Sequence, residues 1–318
     1  SLLNVKEYGG STSDKTTYQT FSYEKSGLAL QGDSGTDGYF IKTPWHSTST
    51  NALSSSAKTI EFRIKPVRSE DNYHLVSLSG SYSNILHDQH LILTPYTGND
   101  ISSSNDSTQY GKITLYQGNN LRASTNNFPI YNGDFWNVYI GIEDDGVSGT
   151  DTSTFFGAYN ANFNKNIHYY TSSFSLSSTN QANAWGLDFP GVTYNIGQRE
   201  GAESVFIGGV SSNSSLTNDI DGLRYSGSIQ EVRYYFGELL SHDTLTKHAL
   251  EPFMYAGNTI TSSYDGLVLR LPLGSNDIED SSSFHPKINT AFLGMEGGVS
   301  SSMTTQTWEE VIETHHLP

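Results

Sequence analysis

The sequence predicts an all-β fold: an antiparallel jelly-roll sandwich with one short helix after its last long strand and a second short helix near the C-terminus. Three observations carry that prediction. Apolar–polar alternations of period two recur along the chain, each bounded by Gly, Pro, Asn or Ser. Helical periodicity is confined to two short stretches. Aromatic residues make up 12% of the 318 positions and charged residues only 16%, a balance that suits pleated, half-buried surfaces. Many short strands with almost no helix exclude a parallel α/β architecture.

In "KTIEFRIKP", residues 58–66, Ile60, Phe62 and Ile64 fall on one face, Glu61, Arg63 and Lys65 fall on the other, and Pro66 closes the strand. "YHLVSLSG", "HLILTPY", "KITLYQG", "FWNVYIGI", "STFFGAYN" and "SVFIGG" follow as further short strands. In "SGSIQEVRYYFGELL" the residues Val232, Tyr234 and Phe236 share a face, but Ile229 is out of phase with them, which calls for a bulge near Gln230. Gly237 ends that strand, and Ser241 is placed to cap a helix of about a turn and a half. Asp243 falls in its first turn, Lys247 and His248 in its last, Leu240 and Leu245 have the spacing of a hydrophobic staple, and Pro252 limits continuation. "DGLVLRLPLG" reads as one more strand, and Thr307 with Glu310 opens the C-terminal helix, with Trp308, Val311 and Ile312 as its apolar stripe. That helix would pack either on a neighbouring subunit or on its own domain.

Bulk properties narrow the function. Lys+Arg 17 against Asp+Glu 33 gives a net charge of −16, which repels nucleic-acid backbones and anionic lipid headgroups, so no nucleic-acid partner is expected. Cysteine is absent, which removes disulfides, thiolate metal sites and cysteine nucleophiles. No segment approaches the roughly 20 apolar residues of a membrane span, and "SLLNVKEYGG" lacks the features of a signal peptide.

"YSGSIQEVRYYFGELLS" resembles the closing strand and Leu-Ser-capped helix of laminin-G-like, concanavalin A-like jelly-roll domains. "LALQGDSGTDGYFIKTP", "KTIEFRIKP", "NGDFWNVYIGIEDDG" and "SVFIGG" are similar to that family's other landmarks and stand in the same order. More narrowly, "GSIQEVRYYFGELL", "EPFMYAGN" and "SSYDGLVLRLPLGSNDIEDSSSFHP" resemble structural proteins of large tailed phages and marine double-stranded DNA viruses. The resemblance implies a lead segment over 1–25, a jelly-roll domain over 26–257, and an appendage or the start of a further module over 258–318.

Glycoside hydrolysis needs two carboxylates at about 5–5.5 Å for retention. The nearest cluster, "IEDDG" with Glu143 and Asp145, sits where a hairpin turn is expected and lacks strand-face spacing. Enzymatic activity is therefore not expected. Calcium takes oxygen ligands, and Asp33 and Asp37 in "GDSGTDG" flank a loop, although no EF-hand frame is closed. The resemblance implies a metal ligand on the Ile-Asp-Glu-Val strand, where this chain has Gln230 followed by Glu231. The ten histidines show no HExxH spacing. Carbohydrate recognition would use aromatics in polar loops, and Tyr96, Tyr131 and Trp185 lie in such stretches, although aromatics in a sandwich more often belong to its core.

The expected function is a structural or adhesive module of a virion surface, a fibre, tail or capsid-decorating protein that binds host glycans and assembles with other virion proteins through strand edges and terminal segments. The alternative is a lectin-like carbohydrate-binding module of an extracellular or cell-surface protein, and a glycoside hydrolase is the weakest reading.

Overall fold

A computed structural model describes residues 28–30, 38–44, 57–79, 89–98, 107–144, 151–177, 185, 204–209, 223–252, 254–259, 266–271 and 293–296. The elements are β1 (Leu28–Leu30), β2 (Gly38–Pro44), β3 (Ala57–Pro66), β4 (Tyr73–Ser79), β5 (Gln89–Pro95), β6 (Gly111–Gln117), β7 (Asn120–Ser124), β8 (Trp136–Asp144), β9 (Asp151–Ala161), β10 (Ile167–Ser177), β11 (Ser204–Ile207), β12 (Leu223–Arg224), β13 (Gly227–Phe236), α1 (His242–Leu250), β14 (Leu267–Leu271) and β15 (Leu293–Glu296).

Two sheets form a jelly-roll sandwich. One runs β1-β13-β3-β8-β9-β10, with β14 beside β13; the other runs β15-β2-β11-β4-β5-β6-β7, with β12 joining β4. Every described pairing is antiparallel except β12 with β4. Alternation decides what each face buries. Ile60, Phe62 and Ile64 of β3 and Val138, Ile140 and Ile142 of β8 point inward against Leu91, Leu93, Ile113, Leu115, Val205 and Ile207 of the opposite sheet, and all are fully buried.

The bulge expected near Gln230 is present. Pairing of β13 with β3 shifts register between Gln230 and Arg233, and Glu231 takes a φ of 52°. The extra residue brings Ile229 into phase with Val232, Tyr234 and Phe236, and all four join the core. Ser241 caps α1 as expected, its hydroxyl accepting from the Thr244 N–H at 3.2 Å. The helix runs nine residues, longer than the sequence suggested, and its last turn closes with the Glu251 N–H on the Lys247 carbonyl.

Two findings go beyond the expectation. Strands β7 and β10 were not anticipated: "NLRAS" carries little apolar alternation, and in "IHYYTSSFSLS" Ser172 interrupts the apolar spacing between Tyr170 and Phe174; both lie at sheet ends. Beyond residue 257, where the sequence placed an appendage, the chain continues to pair with the sandwich. Strand β14 pairs with β13 and places Leu269 and Leu271 in the core, and β15 pairs with β2. The C-terminal helix and the lead segment lie outside the described residues.

Candidate functional site

The sheet that carries β13 has a second buried face, turned away from the sandwich core and covered by α1. Thr59, Glu61 and Arg63 of β3 open onto it beside Asn137 and Tyr139 of β8 and Tyr159 of β9. Charge fills its middle. The Glu61 carboxylate accepts from Arg233 at 3.2 Å and from His248 Nδ1 of α1 at 2.8 Å. Glu231 accepts from Arg233 Nη2 at 2.8 Å and from Arg270 at 2.8 and 2.9 Å. Arg233 also donates to the Pro252 carbonyl, and Arg63 ties Asn137 to Gln230 at 2.9 and 2.8 Å. His248 Nε2 lies 2.9 Å from the Ala256 carbonyl, so both ring nitrogens face acceptors. Burial raises the Glu61 pKa, but the neighbouring His248 and Arg233 cations outweigh it and hold the carboxyl down at about 2.

This network docks α1 on the sheet, and the docked helix forms one wall of an aromatic groove. Its volume is about 410 Å³. Tyr139, Phe155, Tyr159 and Tyr169, from β8, β9 and β10, line the sheet side, and Leu239, Ser241 and His242 line the helix side. Two glycines shape the floor. A Cβ on Gly141 would lie 2.4 Å from Leu239 Cδ1, and one on Gly157 would lie 2.4 Å from the Tyr170 carbonyl oxygen. Any other residue at either place would push the strand or the wall aside.

The rings are ordered by one another. Tyr159 stacks on Tyr169 with centroids 5.6 Å apart and planes 18° apart, and His242 meets Tyr169 edge-on at 4.7 Å. Tyr159 Oη lies 2.9 Å from His242 Nδ1. Burial, with Tyr169 adding to it, pushes the Tyr159 phenol up to about 12, so it stays neutral and can donate to Nδ1, which leaves the proton of a neutral His242 on Nε2. Tyr169 is 53% exposed while Tyr159 is 3% exposed. One ring therefore faces solvent and rests on a fixed one. Such a groove can receive a flat apolar face on Tyr169 and hydroxyl groups on the tyrosine, serine and histidine at its rim.

The residues singled out in the sequence are placed otherwise. Trp185 is fully buried, and its indole N–H donates to Gln89 at 2.8 Å while its carbonyl accepts from Lys58 at 2.8 Å. It is a core residue with no ring face for a sugar. Tyr96 and Tyr131 come together around Arg68, which donates to the Tyr96 and Tyr110 carbonyls at 2.8 and 2.9 Å and holds its guanidinium 5.2 Å from the Tyr131 ring. Both are half-buried, away from the groove residues. Glu231 is committed to two guanidinium groups, which occupy the seat a cation would need, and Gln230 is bonded to Arg63. The residues of this strand do not fit a metal ion. Asp33, Asp37 and Asp145 lie outside the described residues. Among the described residues no cluster of three or more imidazole and carboxylate groups could hold a metal.

The groove residues were missed because Tyr139, Tyr159 and Tyr169 sit on three different strands and share a face only through strand register. Their signal is a tyrosine pointing outward, opposite the core alternation, in each of the three strands.

No protein-family model matches the chain, and no curated protein matches it. Among solved structures, the enzymatically active domain of tailspike protein 2 from bacteriophage CBA120 aligns at 14% identity over 85% of this chain and 35% of that chain, with a TM-score of 0.40. Domains LG4-5 of the mouse laminin alpha1 chain align at 8% identity over 66% of this chain and 41% of that one, with a TM-score of 0.33. The CBM40 of Ruminococcus gnavus IT-sialidase aligns at 14% identity over 71% and 97% of the two chains, with a TM-score of 0.35. This chain thus spans about a third of the tailspike domain. Matches at such identities and TM-scores bring no ligand or activity to this chain.

Proposed function

We propose that this chain is a non-enzymatic glycan-binding module that acts as an adhesive or structural part of a virion surface. The observation that carries the reading is the groove: a solvent-facing tyrosine stacked on a buried one, closed by a histidine and a helix, on a rigid sheet. A pyranose presents an apolar face to such a ring and hydroxyls to its rim. The non-enzymatic part is supported by the state of the carboxylates. Glu61 is buried against cations and held ionised, so it has no proton to give, and both Glu231 oxygens are taken up by two guanidinium groups. Glu143 stands exposed at the end of β8. The virion setting follows from the sequence resemblance, and a cell-surface lectin-like module would use the same groove.

The test is a glycan array followed by calorimetric titration of the best ligand, with Tyr169→Ala beside the unsubstituted chain. Tyr169 is half exposed, so its removal should weaken binding at least tenfold and leave the melting temperature within a few degrees. Equal affinity in the variant would place the ligand elsewhere. A chelator added to the same titration tests calcium at Asp33 and Asp37. Density-gradient fractionation of source material then decides the setting: co-migration with packaged DNA supports the virion, and recovery in the cell envelope supports the lectin-like module.

A further inference from the structure

The far edge of the β13 sheet is β10, and it differs from every other sheet end. Strand β10 is eleven residues long, whereas β7 has five, β15 four and β1 three. It pairs with β9 through eleven consecutive residues without a register shift, so no bulge turns its edge away. It contains no Asp, Glu, Lys, Arg or Pro, the residues that ordinarily block an open edge. Among the described residues it pairs with β9 alone. Its outward-facing Tyr169, Thr171, Ser173 and Ser175 are all exposed.

The order of residues in β10 is self-complementary about Ser172. When the strand is laid antiparallel against a copy of itself with Ser172 opposite Ser172, Tyr170 faces Phe174 and Thr171 faces Ser173, each pair occurring twice. Aromatic–aromatic and hydroxyl–hydroxyl pairs are among the favourable cross-strand combinations. Tyr170 and Phe174 already pack against the core from the same face of β10, Tyr170 stacked on Phe128 with centroids 4.7 Å apart. One charge near this edge is Arg122 of β7, whose guanidinium lies 5.3 Å over the Phe174 ring. For a chain of net charge −16, an uncharged strand is where a second copy approaches with the least repulsion.

We propose that β10 is the seam of a symmetric dimer, in which two copies of this chain pair their β10 strands antiparallel about Ser172 and fuse two sheets into one. The two-fold axis runs perpendicular to the joined sheet, so both aromatic grooves open on the same side. If the glycan reading holds, the dimer presents them as a bivalent surface; the dimer itself does not depend on that reading.

The absence of cysteine makes the register directly testable. Directly opposed Cβ atoms lie about 5 Å apart, close to the span of a disulfide. Ser172→Cys in the full chain, treated with diamide, should give a covalent dimer in high yield. Ser175→Cys should not, because in this register the two copies of position 175 are about 20 Å apart along the strands. Sedimentation velocity of the unsubstituted chain should show a concentration-dependent monomer–dimer equilibrium, and Ser173→Lys, an exposed change outside the groove, should shift it at least tenfold toward monomer with glycan affinity per site unchanged. A monomer throughout a hundredfold concentration range, equal cross-linking from positions 172 and 175, or a dimer indifferent to Ser173→Lys would each overturn the proposal.

Discussion

Glu61 shows how one buried side chain can hold two elements together. Its carboxylate joins β3 to β13 through Arg233 and to α1 through His248, and no part of it meets water. Its folded pKa of about 2 lies below its ordinary value, so the folded state binds its proton less readily than the unfolded chain does. The stabilisation this gives is complete above the unfolded value and is lost as pH falls from about 4.5 to about 2. The difference corresponds to about 3 kcal/mol at neutral pH. Glu61→Gln should cost about 3–5 kcal/mol at pH 7, because it removes the carboxylate that Arg233 and His248 share in a dry layer and leaves Arg233 to Glu231 alone. It should also flatten the acid limb of the melting curve over that window. Thermal unfolding followed from pH 7 to pH 2 in both forms checks both outcomes, and a parallel acid limb in the variant would assign the acid sensitivity to other carboxylates.

Among the elements, α1 links the core to the groove. Its cap, Ser241, is also part of the groove wall, and the Asn258 carboxamide oxygen accepts from the Ser241 N–H and the Thr244 hydroxyl at 2.8 Å each. Ser241→Ala should lower stability by about 1 kcal/mol by removing the cap, measured by urea denaturation, and on the proposed function should weaken glycan binding by loosening the wall. This helix and its cap were legible in the sequence because capping is local: Ser241, Asp243, Leu245 and Pro252 carry their meaning within a dozen residues. The bulge at Gln230 was legible for the same reason, as a break in alternation. Strand β10 was not, since Ser172 breaks the apolar spacing between Tyr170 and Phe174, and Ile167–Ser177 looks like loop until β9 is seen beside it. The groove was not legible either. Tyr139 and Tyr159 come together through pairing of β8 with β9, His242 arrives through a docked helix, and the expected Trp185 went into the core for want of any local signal separating a buried indole from an exposed one.

On the scale of the whole molecule, the sandwich is completed by residues the sequence had assigned to an appendage. Strand β14 supplies Leu269 and Leu271 to the core and Arg270 to Glu231, whose other guanidinium partner is Arg233. A chain ended at residue 257 should therefore lose more than 10 °C in melting temperature or fail to fold, a loss of several kcal/mol on the scale that links the two. Circular dichroism and one-dimensional proton spectra of the truncated chain test this, and a cooperative, native-like truncated form would restore the boundary at 257. The pairing of β2 with β15 carries a different consequence. Gly38 lies opposite Glu296, and the two strands run antiparallel from that point. Tension applied between residues 38 and 296 would load their hydrogen bonds one at a time, like a zipper, and never all together in shear. Once the three residues of β1 have parted from β13, a sandwich pulled through this pair would lengthen as it peels while the inner strands stay folded.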